Sequence, residues 1–175
     1  MALKSQDILV ALKLVTLGDD PWAYNTLAVA LGMSPSEVHA AVKRLAQSHL
    51  LDLSQKPPRL LRTPLLEFLS FGLRYVFPAE RGELTRGVPT AWATAPLDQH
   101  FVATNDPPPV WPHPQGSVRG MALLPLYKAA PAAALQDPAL HVLLALIDAL
   151  REGRIREREM ARRLLAEKLG NVSHE

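Results

Sequence analysis

Apolar side chains recur at helical spacing through the N-terminal part of the chain. One stripe spans residues 5 to 17 and ends at Gly18, a common helix terminator. A second, shorter stripe starts near Trp22, and a third runs from Pro35 to Ser48. Three consecutive helices are therefore predicted. Their inward positions are Ile8, Leu9, Leu12 and Val15, then Leu27 and Leu31, then Val38, Ala41, Val42 and Leu45.

The start of the third helix carries several independent signals. Ser34 is a favourable N-cap residue, and Pro35 suits the first helical position. Glu37 lies three residues after the cap, which completes a capping box. Gly32 precedes them where a tight turn would need a positive φ. The stretch from Tyr24 onward therefore predicts a helix, a turn and a second helix.

After Leu50 the spacing changes from helical to alternating. Leu51 and Leu53 flank Asp52, and apolar residues return at Leu60 beyond a polar tip, SQKPPR. This pattern predicts two short strands around a proline-rich turn, which together form a small β-hairpin.

The turn resembles a known DNA-binding motif. Ala28, Gly32 and Val38 stand where a helix-turn-helix has its small residue, its turn glycine and its β-branched residue. With its flanks, the stretch 3–63 resembles a winged helix of the MarR kind. The resemblance implies sequence-specific binding of duplex DNA, usually by a dimer, with the second helix of the motif in the major groove. Trihelical units of this kind also serve as protein-binding or structural modules, and that alternative stays open.

Candidate DNA contacts lie on the outward face of the third helix and on the hairpin. Ser36 and His39 come early enough in the helix to reach base edges, whereas Lys43 and Arg44 come later and would meet phosphates. The alternative for the two cations is a solvated helix end, where positive charge is favourable in any case. The hairpin cations would follow a phosphate backbone or belong to an ordinary surface turn. The candidate set is Ser34, Ser36, His39, Lys43, Arg44, Lys56, Arg59 and Arg62.

The middle of the chain mixes one strong helix signal with turn-rich sequence. Thr63 and Pro64 predict the start of a fourth helix, PLLEFLSFGLRYVF, whose apolar residues cover its whole circumference and predict burial. The next stretch, FPAERGELTRGVPTAWATAPL, carries charges of both signs and is expected to be solvated. It resembles a stretch of antitoxin-type regulators that accompany small nucleotidyltransferases.

Prolines dominate residues 105–116, which are expected to be extended and to join neither a helix nor a sheet interior. Trp111 within them is expected to pack onto its own domain. One short strand is predicted near Val118 to Leu124.

The C-terminal part predicts two further helices. Asp137 and Pro138 open the first, which ends before Gly153, and the second runs from Ile155 to Leu169. This helical hairpin has more apolar surface than its two helices need for each other, so it covers the body of the chain or meets a second copy. The closing NVSHE is expected to be a frayed tail.

Composition and charge narrow the class of protein. The net charge is only +2 despite a pI near 9.1, so any contact with DNA must come from a local basic patch. The chain has no cysteine, which excludes disulfides and thiolate chemistry. It shows neither a signal peptide nor a long uninterrupted apolar run, so we expect a cytoplasmic protein without a membrane partner.

The sequence offers no arrangement that indicates catalysis. Its six histidines show no ligand spacing with one another, and no carboxylate joins them in a metal motif. Neither a nucleophile elbow nor a phosphate-binding loop is present. We therefore expect no catalytic residue, no metal and no cofactor, while a site dispersed along the sequence stays open.

Together these features predict a mostly α protein with a small β-hairpin. A winged helix-turn-helix domain spans 1–63, a spine helix with a proline-rich middle region spans 64–136, and a helical hairpin spans 137–175. The predicted function is a sequence-specific DNA-binding transcriptional regulator that acts as a homodimer, with the C-terminal helices as the interface. The alternative is an antitoxin-like module that binds and neutralises a partner enzyme and also represses its own gene.

Overall fold

The computed structural model describes residues 2–102 and 104–170, which form a mostly helical protein with two small β-sheets. The helices are α1 (Ser5–Leu17), α2 (Tyr24–Leu31), α3 (Pro35–Gln47), α4 (Arg62–Phe71), α5 (Leu73–Val76), α6 (Ala130–Gln136), α7 (Pro138–Glu152) and α8 (Ile155–Gly170). The strands are β1 (Leu51–Asp52), β2 (Arg59–Leu60), β3 (Arg81–Pro89), β4 (Pro109–Pro112) and β5 (Val118–Leu123).

The three predicted N-terminal helices are confirmed. Gly18 ends α1 with φ of 61°, and Gly32 ends α2 in the left-handed conformation with φ of 63°, so both positions favour glycine. At the start of α3, the Ser34 hydroxyl accepts a hydrogen bond from the Glu37 N–H, and the Glu37 carboxylate accepts one from the Ser34 N–H, which confirms the capping box. These local signals define both ends of the turn between α2 and α3.

The predicted hairpin is confirmed as an antiparallel pair of two-residue strands. Leu51 lies opposite Leu60, and Asp52 lies opposite Arg59. The Leu51 side chain is buried, so the hairpin packs against the helical core while its tip remains exposed.

The proline-dense residues 105–116 are extended as expected over β4, but the expectation that they join no sheet interior was wrong. The proline-dense segment contains β4, which runs antiparallel to β3 and parallel to β5. The mixed-charge stretch before it contains β3, whose charged residues are exposed as expected. β3 also pairs with β5, so each of the three strands contacts the other two. Glycines permit this close approach, since a Cβ on Gly120 would lie 2.0 Å from the Pro108 carbonyl oxygen. The predicted short strand near Val118 is confirmed as β5.

Two expectations for the fourth helix were also wrong. The helix begins at Arg62, before the predicted Thr63 cap, and it breaks at Gly72 into α4 and α5. It is not buried all round, because one side leaves Phe71, Tyr75 and Val76 exposed by 62%, 76% and 53%. The opposite side, with Leu65, Leu69 and Leu73, lies in the core.

The C-terminal helical hairpin is confirmed as α7 and α8, and α6 before it was not predicted. α7 lies in the middle of the protein, with Leu146 and Ile147 fully buried. The predicted frayed tail at 171–175 lies outside the described residues. A single hydrophobic cluster includes side chains from α1 through α8, and the division of the chain at residues 63 and 136 stays a prediction.

In the described part of the chain, no helix combines the length and the apolar character needed to cross a membrane.

Asp137 joins the start of α7 to α1 and supplies a pH-dependent contact. Its carboxylate accepts hydrogen bonds from the Lys13 ammonium at 2.6 Å and from the Leu140 N–H at 3.2 Å. Burial alone would raise the pKa of Asp137, but these hydrogen bonds lower it below its ordinary value of 3.8. The contact therefore stabilises the fold fully above about pH 4 and is lost as the pH falls through the lower, folded-state pKa.

We predict that Asp137→Asn lowers the free energy of unfolding at pH 7 by about 1 kcal/mol, because asparagine can still cap α7 but lacks the charge that interacts with Lys13 and with the helix dipole. The difference between the variant and the unsubstituted chain should shrink below pH 4. Urea unfolding at pH 7 and pH 3 measures both quantities, with the exposed Asp98→Asn as control. A difference that is the same at both pH values would contradict the assignment.

Candidate nucleic-acid interface

The structure contradicts the placement of Arg44 on the outward face of α3. Arg44 is only 4% exposed, and its Nε and Nη2 atoms donate hydrogen bonds to the two carboxylate oxygens of Asp7 at 2.8 and 2.7 Å. Asp7 itself is fully buried in α1, and these hydrogen bonds raise the pKa of Arg44. The pair fixes α3 to α1, so Arg44 is not available to a phosphate.

The other outward positions of α3 are where the spacing predicted them. Ser36, His39 and Lys43 are exposed, whereas Val38 and Val42 on the opposite side are buried. Ser34 is partly buried. Its hydroxyl caps the helix and lies 3.1 Å from the Ser36 hydroxyl. The exposed face therefore begins with small polar side chains and continues to a cation.

A row of aromatic rings connects this face to the hairpin. The His39 ring stacks on Tyr24 with a centroid distance of 3.6 Å, and Tyr24 contacts Trp22 edge-on at 5.2 Å. Trp22 in turn lines a cleft of about 280 Å³ whose other wall is the hairpin tip, residues 55–60. The N-terminal half of α3 and the hairpin tip thus belong to one continuous surface.

The hairpin contributes cations and neighbouring acids to that surface. Lys56 and Arg59 are exposed at the tip, whereas partly buried Arg62 donates a hydrogen bond to the Leu169 carbonyl at 3.4 Å. Asp19 and Asp20 line the same cleft as the hairpin cations. Arg62 therefore helps to fix α8, and the tip cations share their surroundings with two negative charges.

Two residues from the distant segment before α6 lie at the start of α3, and the sequence analysis missed both. The Tyr127 hydroxyl donates a hydrogen bond to the Glu37 carboxylate at 3.3 Å, and Lys128 lies close enough for its charge to act on Glu37. The hydrogen bonds to Ser34 are the largest cause of the lowered pKa of Glu37, and Tyr127 and Lys128 lower it further. Lys128 is exposed and adds a cation beside the first turn of α3.

A second buried polar cluster lies between the β3–β4–β5 sheet and α7. The Asp148 carboxylate accepts hydrogen bonds from Thr90 at 2.6 Å, from Trp111 Nε1 at 2.7 Å and from Arg151 at 2.9 Å. Arg151 also donates to the carbonyls of Phe77 and Pro78. Burial raises the pKa of Asp148, and the three donors oppose that shift. Both carboxylate oxygens of Asp148 accept hydrogen bonds within the protein, so the cluster joins the sheet to α7. The predicted packing of Trp111 onto its own domain is confirmed.

Among residues 2–102 and 104–170, no group of three His, Asp or Glu side chains is placed to hold a metal ion. No family model, curated protein or solved structure matches this chain.

Proposed function

We propose that this chain is a sequence-specific, DNA-binding transcriptional regulator whose N-terminal unit is a winged helix-turn-helix. In this proposal α2 and α3 form the helix-turn-helix, α3 enters the major groove, and the β1–β2 hairpin is the wing. Such a regulator acts without a cofactor, and its cytoplasmic location is part of the same proposal.

The observation that carries the proposal is the exposed polar face at the start of α3, continuous with a basic hairpin tip. Ser36 and His39 are placed for base edges, because the N-terminal residues of a recognition helix approach them most closely. Lys43, Lys56 and Arg59 supply charge for phosphates. The Asp7–Arg44 pair supports the proposal indirectly, since it holds α3 rigidly against α1.

The charges around α3 and the hairpin favour DNA bound in one orientation and with modest affinity, and they do not favour general attraction to DNA. Lys128 adds positive charge beside the first turn of α3, whereas Asp19 and Asp20 repel phosphates near the hairpin. Because the net charge is only +2, selectivity must come from the shape and contacts of this surface.

The direct test is binding to the duplex upstream of the protein's own gene, compared with a shuffled duplex of equal composition. Fluorescence anisotropy at about 150 mM salt should show at least a thousandfold preference for the upstream duplex. Ser36→Ala combined with His39→Ala should reduce this preference and leave binding to the shuffled duplex unchanged. Gln47→Ala, at the exposed end of α3, is the matched control. Equal affinity for both duplexes would refute sequence-specific binding.

A homodimer belongs to the proposal because DNA operators commonly have two-fold symmetry. α7 lies in the core, so deleting residues 138–175 would unfold the protein and cannot test the interface. Sedimentation of the intact chain at micromolar concentration should instead give the mass of a dimer. A monomer that remains at high concentration would exclude this part of the proposal.

One observation favours the second candidate, an antitoxin-like module that binds a partner enzyme. Phe71, Tyr75 and Val76 expose apolar surface on α4 and α5, and exposed apolar patches of sufficient size mark protein contacts. Co-purification with the product of the neighbouring gene, lost in Phe71→Ser with Tyr75→Ser, would support this candidate. Retention of that complex by the double variant would argue against the patch.

A further inference from the structure

A large cleft lies far along the sequence from α3. It has a volume of about 1010 Å³ and is bounded by the β3–β4–β5 sheet, the segment around Phe101 and the first turn of α8. Small-molecule sites usually have volumes of about 300–1,000 Å³ and largely apolar walls, so this cleft has the size of a ligand site.

One wall of the cleft is apolar and aromatic. Trp92 and Phe101 contribute partly buried rings, and Met121 and Pro109 contribute the sheet side. Ile155, at the start of α8, also borders the cleft, and its side chain is 64% exposed to solvent. A flat apolar molecule would cover these side chains and remove them from water.

The charged side chains that line the cleft are four arginines and three acids, Asp106, Glu152 and Glu157. The Glu152 carboxylate accepts a hydrogen bond from Arg81 Nε at 2.7 Å, and the Asp106 carboxylate lies 3.9 Å from Arg154. In contrast, Arg156 and Arg158 form no ion pair with any residue that the structure describes. Two guanidinium groups are therefore left for a ligand.

Arg158 is the partly buried cation of the cleft. Its Nε atom is fully buried and lies out of reach of a ligand, whereas its two terminal nitrogen atoms form no hydrogen bond with residues 2–102 and 104–170. These terminal nitrogens can donate to an acidic group in the cleft. The helix N-terminus adds positive electrostatic potential in the same place.

We propose that this cleft binds a small organic anion with a flat apolar body, whose acidic group contacts Arg158 and Arg156. The aromatic wall of Trp92 and Phe101 holds the apolar body. The proposal does not depend on DNA binding, because the cleft shares no lining residue with α3 or the hairpin.

Isothermal titration calorimetry with 1-naphthoate, and with neutral 1-naphthalenemethanol as its uncharged counterpart, tests this site on the intact chain. Naphthoate should bind one to one and at least about tenfold more tightly than the alcohol, the effect of one charge-assisted hydrogen bond. Arg158→Gln and Arg156→Gln should each weaken naphthoate binding several-fold, with Arg158→Gln the larger effect. Arg119→Gln, an exposed cation of β5 outside the cleft, should leave it unchanged.

Arg158→Lys separates charge from the specific donor. Lysine retains the positive charge but lacks the planar guanidinium with its paired donors, so naphthoate binding should fall although the net charge is the same. No binding of naphthoate at millimolar concentration would overturn the proposal. Equal binding of the alcohol, or an equal effect of Arg119→Gln, would also overturn it.

Discussion

Asp7→Asn is expected to lower the free energy of unfolding by about 3–5 kcal/mol, because it leaves the Arg44 guanidinium buried without its counter-charge. Arg44 donates to both carboxylate oxygens, and the Lys4 N–H donates to one of them. An asparagine would therefore turn its NH₂ group toward a donor in either orientation. Urea unfolding followed by circular dichroism measures the loss.

Two controls distinguish the loss of the buried ion pair from the general effect of replacing a carboxylate by an amide. Asp20→Asn removes an exposed carboxylate and should change the stability by less than about 0.5 kcal/mol. The double variant Asp7→Leu with Arg44→Met should recover most of the loss, since replacing both charges by apolar groups is often neutral or stabilising. A single variant with nearly unchanged stability would contradict the assigned role of the pair.

Asp148→Asn is expected to lower the free energy of unfolding by about 3 kcal/mol or more. Thr90 and Trp111 donate to one carboxylate oxygen and Arg151 to the other, so the amide cannot accept on both sides. Arg151 would also remain nearly buried, at 8% exposure, without a neutralising charge.

Near-ultraviolet circular dichroism measures the effect of Asp148→Asn directly, because this signal depends on the surroundings of aromatic rings. Trp111 is 1% exposed and donates a hydrogen bond to Asp148. The near-ultraviolet signal of Trp111 should weaken in the variant, while Asp98→Asn at an exposed position of a short 3₁₀ helix should leave signal and stability unchanged. A variant as stable as the unsubstituted chain would show that the cluster does not join the sheet to α7.

The elements that the sequence predicted correctly depend on residues close together in the chain. Ser34, Pro35 and Glu37 define the start of α3 within four positions, and Asp137 with Pro138 defines the start of α7 in the same way. Local capping and helical periodicity are therefore enough to predict most of the helices and the small hairpin.

The misplaced elements depend on distant partners. Arg44 borders the inward stripe of α3, and only Asp7, 37 positions earlier, determines that it points inward. Two of the four residues of β4 are prolines, which sequence rules exclude from sheet interiors, yet the strand pairs with both β3 and β5. Lys128 lies close to Glu37 of α3 only because the chain folds back on itself, and no pattern in the local sequence indicates this contact.

The candidate interface was predictable only in part for the same reason. Ser36, His39 and Lys43 follow from the period of α3, and Lys56 and Arg59 follow from the hairpin. Only the structure shows that Trp22 and Tyr24 join these residues into one surface. Stacking between aromatic rings of different helices produces no spacing pattern in the sequence.

The salt dependence of DNA binding tests the central claim most directly. The logarithm of the binding constant for the upstream duplex is measured against the logarithm of salt concentration, for the unsubstituted chain and two triple variants. Lys43→Gln, Lys56→Gln and Arg59→Gln together should flatten the slope by about three, because each lost phosphate contact removes about 0.9. Arg86→Gln, Arg119→Gln and Arg163→Gln remove the same charge from exposed positions on β3, β5 and α8 and should leave the slope nearly unchanged. Equal slopes for the two triple variants would contradict a DNA interface formed by α3 and the hairpin.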